Sequence, residues 1–252
     1  MSKNNREEEK VIMQHILEVR LKKRLFSFTD FSGKMVDFMI KKLGVEQIRL
    51  NGNGSRFDLA TNDLEYLYFF SFENFGFQAE MQDSFEDFSS RVKEFISALK
   101  EFPDYRWSDG LVRIGTKSTI LYHRKFDSFS TIKQAYKDLL VNDHKKISEL
   151  TKSTILDTAY TFDLEREACK ANVTTGPVTR DEAIGRFFGG KKEYENKFNK
   201  DNGMLLTIDV SGNKTDNISN LEQLEAQILV QINDIKEIFN GFKTYFANNK
   251  ES

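Results

Sequence analysis

The sequence predicts an α+β protein: a mostly antiparallel sheet, or two ferredoxin-like halves, with amphipathic helices on one face and a long C-terminal helix. Three observations carry this reading. Leu221, Leu224, Ile228, Ile232, Ile235, Phe239, Phe242 and Phe246 repeat at steps of three and four, which draws one apolar stripe along a helix over 219–248. Several shorter runs alternate apolar and polar residues, the period of strands with one buried face. The first half orders these signals as strand, helix, strands, helix, strand, helix, and helices laid on one side of an antiparallel sheet satisfy that order.

Residues 11–26 read as the first strand, with Met13, Leu17, Val19 and Leu21 on one side and Glu18, Arg20, Lys22 and Arg24 on the other. Helical spacing follows in Phe28–Leu43 (Met35, Phe38, Met39, Leu43), with Gly44 as the stop. Segments 45–50 and 56–60 are short strands around Asn51-Gly52-Asn53-Gly54. Leu64, Tyr66, Tyr68, Phe70 and Phe72 share a strand face, and Phe75, Phe77, Ala79 and Met81 resume on the other parity, so a bulge or turn is expected near Asn74. Ser84 and Asp87 form a capping box before the stripe Phe85, Phe88, Val92, Phe95, Ile96 and Leu99, with Pro103 just beyond its end.

A strand over 111–123 and a helix over 129–140 complete the first half, residues 11–145, which a polar tail (1–10) precedes. In the second half, 146–252, strand character is expected over 153–164 and 203–210, a short helix over 179–188, and a charged loop over 189–202. Ser219 with Glu222 marks the start of the long helix.

Composition narrows the function class. The 252 residues are 39% hydrophobic and 30% charged, which fits a soluble globular protein with a sizeable core. No apolar run reaches the roughly 18 residues of a membrane span, and the polar start lacks the apolar region of a secretory signal. A single cysteine, Cys169, rules out an internal disulfide and suits a reducing cytoplasm. A net charge of −2 supplies no general attraction to nucleic acid or anionic lipid. The 23 phenylalanines fall mainly in periodic segments and read as core filler.

The search for chemistry returns little. His15, His123 and His144 are far apart, without a cysteine pair or an HExxH helix, so no metal and no cofactor is expected. His15 falls among the inward positions of its strand and reads as a hydrogen-bonded core residue. The carboxylates flanking Cys169 raise a thiol pKa, which argues against a nucleophile. Neither Asn51-Gly52-Asn53-Gly54 nor Phe188-Gly189-Gly190-Lys191-Lys192 has the helix context of a phosphate-binding loop. Asp157, Asp163 and Lys197 are the residues a metal-dependent nuclease or hydrolase would use in this chain.

Nucleic-acid binding has a more definite pattern. The strand-helix-strand-strand-helix-strand order is that of a ferredoxin-like RNA-recognition domain, and Phe75-Gly76-Phe77 stands where such domains stack bases. Arg20, Lys22 and Arg24 would meet phosphates. Against this, Glu73 and Glu80 occupy places where the motif needs a cation and an aromatic residue, and the first strand lacks a stacking ring. Trp107, the one tryptophan, is a candidate anchor for a protein partner.

The stretch 85–102 followed by Val112-Arg113-Ile114-Gly115, and Ile208-Asp209-Val210 before a long helix, together resemble a sporadically distributed family of uncharacterised bacterial proteins of about this length. Members continue the Arg-Ile-Gly element with Leu-Arg-Tyr, where this chain has Thr116-Lys117-Ser118. The resemblance implies a bacterial cytoplasmic protein, singles out Arg113, and implies no activity.

The reading is a non-enzymatic cytoplasmic protein that binds a macromolecular partner. That partner is another protein, or a second copy through the terminal helix at Phe242 and Phe246. RNA or single-stranded nucleic acid on the first-half sheet, and metal-dependent hydrolysis, are the alternatives.

Overall fold

A computed structural model describes residues 10–22, 28–51, 55–102, 110–123, 128–140, 144–153, 158–166, 169–212, 215 and 218–248. The elements run β1 (Lys10–Leu21), α1 (Phe28–Leu43), β2 (Gln47–Asn51), β3 (Arg56–Ala60), β4 (Tyr66–Ser71), β5 (Asn74–Gln82), α2 (Phe85–Glu101), β6 (Leu111–His123), α3 (Phe129–Leu140), α4 (His144–Thr151), β7 (Tyr160–Glu165), β8 (Cys169–Thr179), α5 (Arg180–Phe187), α6 (Lys192–Lys197), β9 (Asn202–Gly212) and α7 (Leu221–Asn248). The described strands form one antiparallel sheet in the order β2-β3-β4-β5-β1-β6-β9-β8-β7. The protein is therefore α+β, with a long C-terminal helix.

Within the first half, β6-β1-β5-β4 reproduces the ferredoxin-like order, with β2 and β3 added as a hairpin outside β4. The second half does not repeat it. Its strands extend the same sheet from β6, so two separate ferredoxin-like sheets are not formed.

β1 fixes the two faces. Met13, His15, Leu17 and Val19 are buried on one side, paired with Ala79, Phe77 and Phe75 of β5 and with Ile120, Ser118, Thr116 and Ile114 of β6. This side carries α1, α2, α3 and α7, whose apolar faces join one large core with it. α2 begins on the expected cap, Ser84 accepting a 3.1 Å bond from the Asp87 amide, and all six stripe residues are buried. α7 runs beside it in the opposite sense, tied by Lys100 to Glu222 and Glu225 and by Lys236 to Glu86. Its cap is one residue later than expected. Asn220 Oδ1 accepts from the Gln223 amide at 2.8 Å, and the Gln223 side chain reaches back to the Ser219 amide.

Further expectations are corrected. β8 is an element the sequence pattern does not announce, because its buried residues (Cys169, Ala171, Val173, Thr175, Pro177) are small or polar and give a faint alternation. Pro177 fits there because β7 pairs only as far as Thr175, leaving no ladder bond for its missing N–H. α4 is likewise unannounced. The charged segment 189–202 is no plain loop: it holds α6, and Tyr194 and Phe198 are fully buried. Gly189 and Gly190, both at positive φ, make the turn between α5 and α6.

The α5–α6 pair lies on the opposite side of the sheet from the four longer helices. It covers Ile12, Leu121 and Leu205, whose parity is opposite to that of the main core. A bulge in β5 opposite Met13 and His15, with Met81 at φ 54, turns Met81 toward this smaller core instead of the face of Phe75 and Phe77. No described helix is long and apolar enough to cross a membrane.

Candidate functional site

The residues expected to stack bases belong to the core. Phe75 and Phe77 turn toward α2, with ring centroids 6.3 and 5.3 Å from Phe95. Gly76 between them faces the other side, where the Phe69 ring crosses it. A Cβ there would lie 2.8 Å from the Phe69 ring and 1.9 Å from the Leu17 carbonyl oxygen. The aromatic-Gly-aromatic pattern is thus explained by packing, and it exposes no stacking platform.

Phe246 of α7 is buried against Tyr136 with centroids 4.8 Å apart, and Phe242 is half-buried beside Phe162. The α7 stripe is therefore used inside the chain. Trp107, Arg24 and Asp157 lie outside the described residues.

The remaining catalytic candidates do not converge. Asp163 sits on edge strand β7 and accepts from Asn172 at 2.8 Å. Lys197 sits on α6, bonded to the Met81 carbonyl and 3.2 Å from Asp83 at the end of β5. Five strand spacings separate β7 from β5 in the sheet order, about 24 Å at the usual 4.8 Å per strand. Among the described residues no group of three or more His, Cys, Asp or Glu side chains assembles that would hold a metal ion.

His15 is a core residue: its ring stacks on Phe88 at 4.5 Å and Nδ1 shares a 2.7 Å bond with the Ser118 hydroxyl. Burial pushes its pKa down to about 3. Cys169 is buried on the same side and donates to Asp234 Oδ2 at 2.9 Å. Burial first, then that carboxylate, pushes the thiol up to about 12. The carboxylate comes from α7, not from the sequence neighbours.

What gathers instead is a polar row on the side of the sheet opposite the four longer helices. Strand register puts Arg20, Glu18 and Ile16 of β1 beside Arg113, Gly115 and Lys117 of β6, and the row continues through Ser211 and Asp209 of β9, Lys170 and Asn172 of β8, and Glu165 and Asp163 of β7. These side chains stand half-exposed or exposed, apart from Gly115. Between β6 and β7 they line a shallow depression of about 540 Å³.

Arg113 lies flat in this depression. Its Nη2 donates to Asp209 Oδ1 at 3.1 Å, and its guanidinium packs over Gly115, where a Cβ would come within 3.2 Å of Nε. That Nε finds no acceptor. A methyl group at Gly115 would push the guanidinium outward by a few tenths of an ångström. Arg20, the register partner of Arg113, is held by Glu18 at 2.9 Å, and Asn74 donates to the same carboxylate at 2.8 Å. Lys22 continues the cationic side of β1 with its stem beside Gly110.

At the opposite end of the same side the polar groups are sealed under α6. Glu80 is buried and receives Gln14, Gln78, the Tyr194 hydroxyl and, at 3.0 Å, Lys191. Burial alone would raise this carboxyl, and the bonds from Tyr194, Lys191 and Gln14 outweigh it, leaving the pKa below the ordinary value. Lys170 escapes a reading of the sequence because the alternation of β8 is so faint, and Ser211 because it lies just past the strand expected over 203–210. Glu80 and Tyr194 escape it because 114 residues separate them and 189–202 reads as a charged loop. No protein-family model matches this chain, and no curated protein does.

Proposed function

We propose that this chain is a non-enzymatic, cytoplasmic binding protein whose partner, another protein, docks on the polar sheet side that carries Arg113. The observation behind this reading is Arg113 itself, laid over Gly115 and steered by Asp209 on a half-exposed surface. An arginine so placed keeps 37% of its side chain exposed to an incoming group, and its planar fork loses little freedom on binding. Self-association through α7 is disfavoured, since its stripe is spent on the core. Nucleic acid is disfavoured because Phe75 and Phe77 are buried and Glu18, Asp209, Asp163 and Glu165 interrupt the cations. The packing of Arg113 over Gly115 supports placement with the uncharacterised bacterial proteins that carry Arg-Ile-Gly.

The test is purification from the natural host after nuclease treatment, with companions identified by mass spectrometry. Arg20→Glu and Lys117→Glu on the polar side should release the companion, and Lys236→Glu on α7 should keep it. A companion that ignores both polar-side variants, or that disappears with nuclease, would overturn the proposal.

A further inference from the structure

β7 is an edge of the sheet, and among the described residues no strand pairs with its outer side. Two bonds fix which of its backbone groups face outward. Arg166 N–H donates to the Cys169 carbonyl at 2.9 Å across the turn to β8, and Arg180 N–H to the Asp201 carbonyl at 2.9 Å just beyond the β8–β9 ladder. Bonded pairs alternate along an antiparallel ladder. By both counts, Ala171, Val173 and Thr175 of β8 bond to Leu164, Phe162 and Tyr160 of β7. The backbone N–H and C=O groups of Thr161, Asp163 and Glu165 therefore point away from β8.

The two faces of this edge differ in chemistry. Tyr160, Phe162 and Leu164 turn to the main core yet stay half-buried, while their β8 partners Ala171, Val173 and Thr175 are buried. Their outer halves lie open at the edge. On the other face Thr161, Asp163 and Glu165 are exposed. Asp163 accepts from the Asn172 amide, and among the described residues neither carboxylate forms an ion pair.

We infer that β7 takes up an extended segment of the protein partner as an added strand, one that alternates apolar and basic side chains. This rests on the docking proposal, since β7 borders the polar side that carries Arg113, and it states what the companion must contain. Thr161, Asp163 and Glu165 supply the backbone ladder, and Tyr160, Phe162 and Leu164 supply an apolar row for one face of the newcomer. Asp163 and Glu165, two residues apart on the other face, select Lys or Arg at alternate positions. The same carboxylates turn away acidic strands. They also disfavour a second copy, because pairing two β7 edges would gather Asp163 and Glu165 of both chains on one face.

The inference is tested on the full-length, ²H,¹⁵N-labelled protein by NMR titration with acetyl-Val-Lys-Val-Lys-Val-amide and acetyl-Val-Glu-Val-Glu-Val-amide. The lysine peptide should shift the amides of Thr161, Asp163 and Glu165 saturably, and bind about tenfold tighter than the glutamate peptide. Thr161→Pro, which removes an outward N–H and no bond to β8, should abolish binding with the urea midpoint retained. The Asp163→Lys, Glu165→Lys variant should reverse the preference, which tests the charge requirement without the proline. Equal binding of the two peptides, no saturable binding of the lysine peptide, or indifference to Thr161→Pro would each overturn the inference. Shifts at the same amides on concentrating the protein alone would assign the edge to a second copy and overturn it too. The two proposals fail separately. A companion released by Arg20→Glu but retained by Thr161→Pro and by Asp163→Lys, Glu165→Lys leaves the docking side standing and removes the added strand. A companion indifferent to every variant removes the docking reading itself.

Discussion

The Thr116 hydroxyl of β6 donates a 2.8 Å hydrogen bond to Gln231 Oε1 of α7, with both residues wholly buried. The same amide donates to the Ile114 carbonyl at 3.1 Å. Together with the Cys169–Asp234 bond, this clamp sets the sliding position of the long helix on the sheet. Gln231→Leu should leave the Thr116 hydroxyl buried without an acceptor and cost about 1–3 kcal/mol. Urea unfolding would show it, and a variant as stable as the parent would contradict the clamp.

The cost of protonating His15 should appear as pH-dependent stability. Its folded pKa, about 3, lies below the ordinary 6.5, so the unfolded chain binds the proton more readily between those values. Stability therefore falls as pH drops through 6.5 toward 3, at about 1.4 kcal/mol per unit from this group. Urea midpoints from pH 7 to pH 5 should decline less steeply in His15→Gln. Parallel slopes for the two proteins would sink the assignment.

Tyr194 and Glu80 hold α6 to the sheet. Tyr194→Phe removes the donor to Glu80 and the acceptor of the Met81 amide, at a cost of about 2–3 kcal/mol. The loss should be local, seen as faster trypsin cleavage and amide exchange over 191–200 with little change in α2. Glu80 adds a pH dependence of its own. Its folded pKa is depressed below 4.5, so its contribution is complete above that value and fades as pH falls through it.

Cys169 should behave as an inert core residue. With its thiol pushed up to about 12 by burial and by Asp234, thiolate is scarce at pH 8. Ellman's reagent should label the native protein only at the rate of opening and the urea-unfolded protein at once. Rapid native labelling would mean that the thiol is accessible.

Gly76 and Gly185 should respond oppositely to alanine. At Gly76 the new methyl meets the Leu17 carbonyl, which cannot move without breaking the ladder, and the expected loss is about 3 kcal/mol or more. At Gly185 in α5 nothing lies within 4 Å, and alanine should stabilise by about 0.5–1 kcal/mol. Comparing the two urea midpoints tests whether Phe75-Gly76-Phe77 is a packing motif.

Elements whose burial is dense and periodic can be located from the order of residues alone. α1, α2, β6, α3, β9 and α7 lie close to where their apolar spacing places them, because a half-buried helix or strand must repeat its contacts with its own period. The α+β class follows from those six elements. Faint signals were lost: β8 buries alanine, threonine and one cysteine, and α6 hides two buried aromatics in a charged stretch.

Which residues meet is settled by the packing of the whole chain. Phe75 and Phe77 fit the core-filler reading of the phenylalanines and also the pattern of a stacking platform, and α2 covering them decides for core. Cys169 with Asp234, Glu80 with Tyr194, and Arg113 with Asp209 are separated by 65, 114 and 96 residues. Local periodicity states how each side chain faces its own element. Which strands become neighbours, and in what register, depends on the whole sheet closing under its helices, and the polar row from Arg113 to Lys170 exists only in that register.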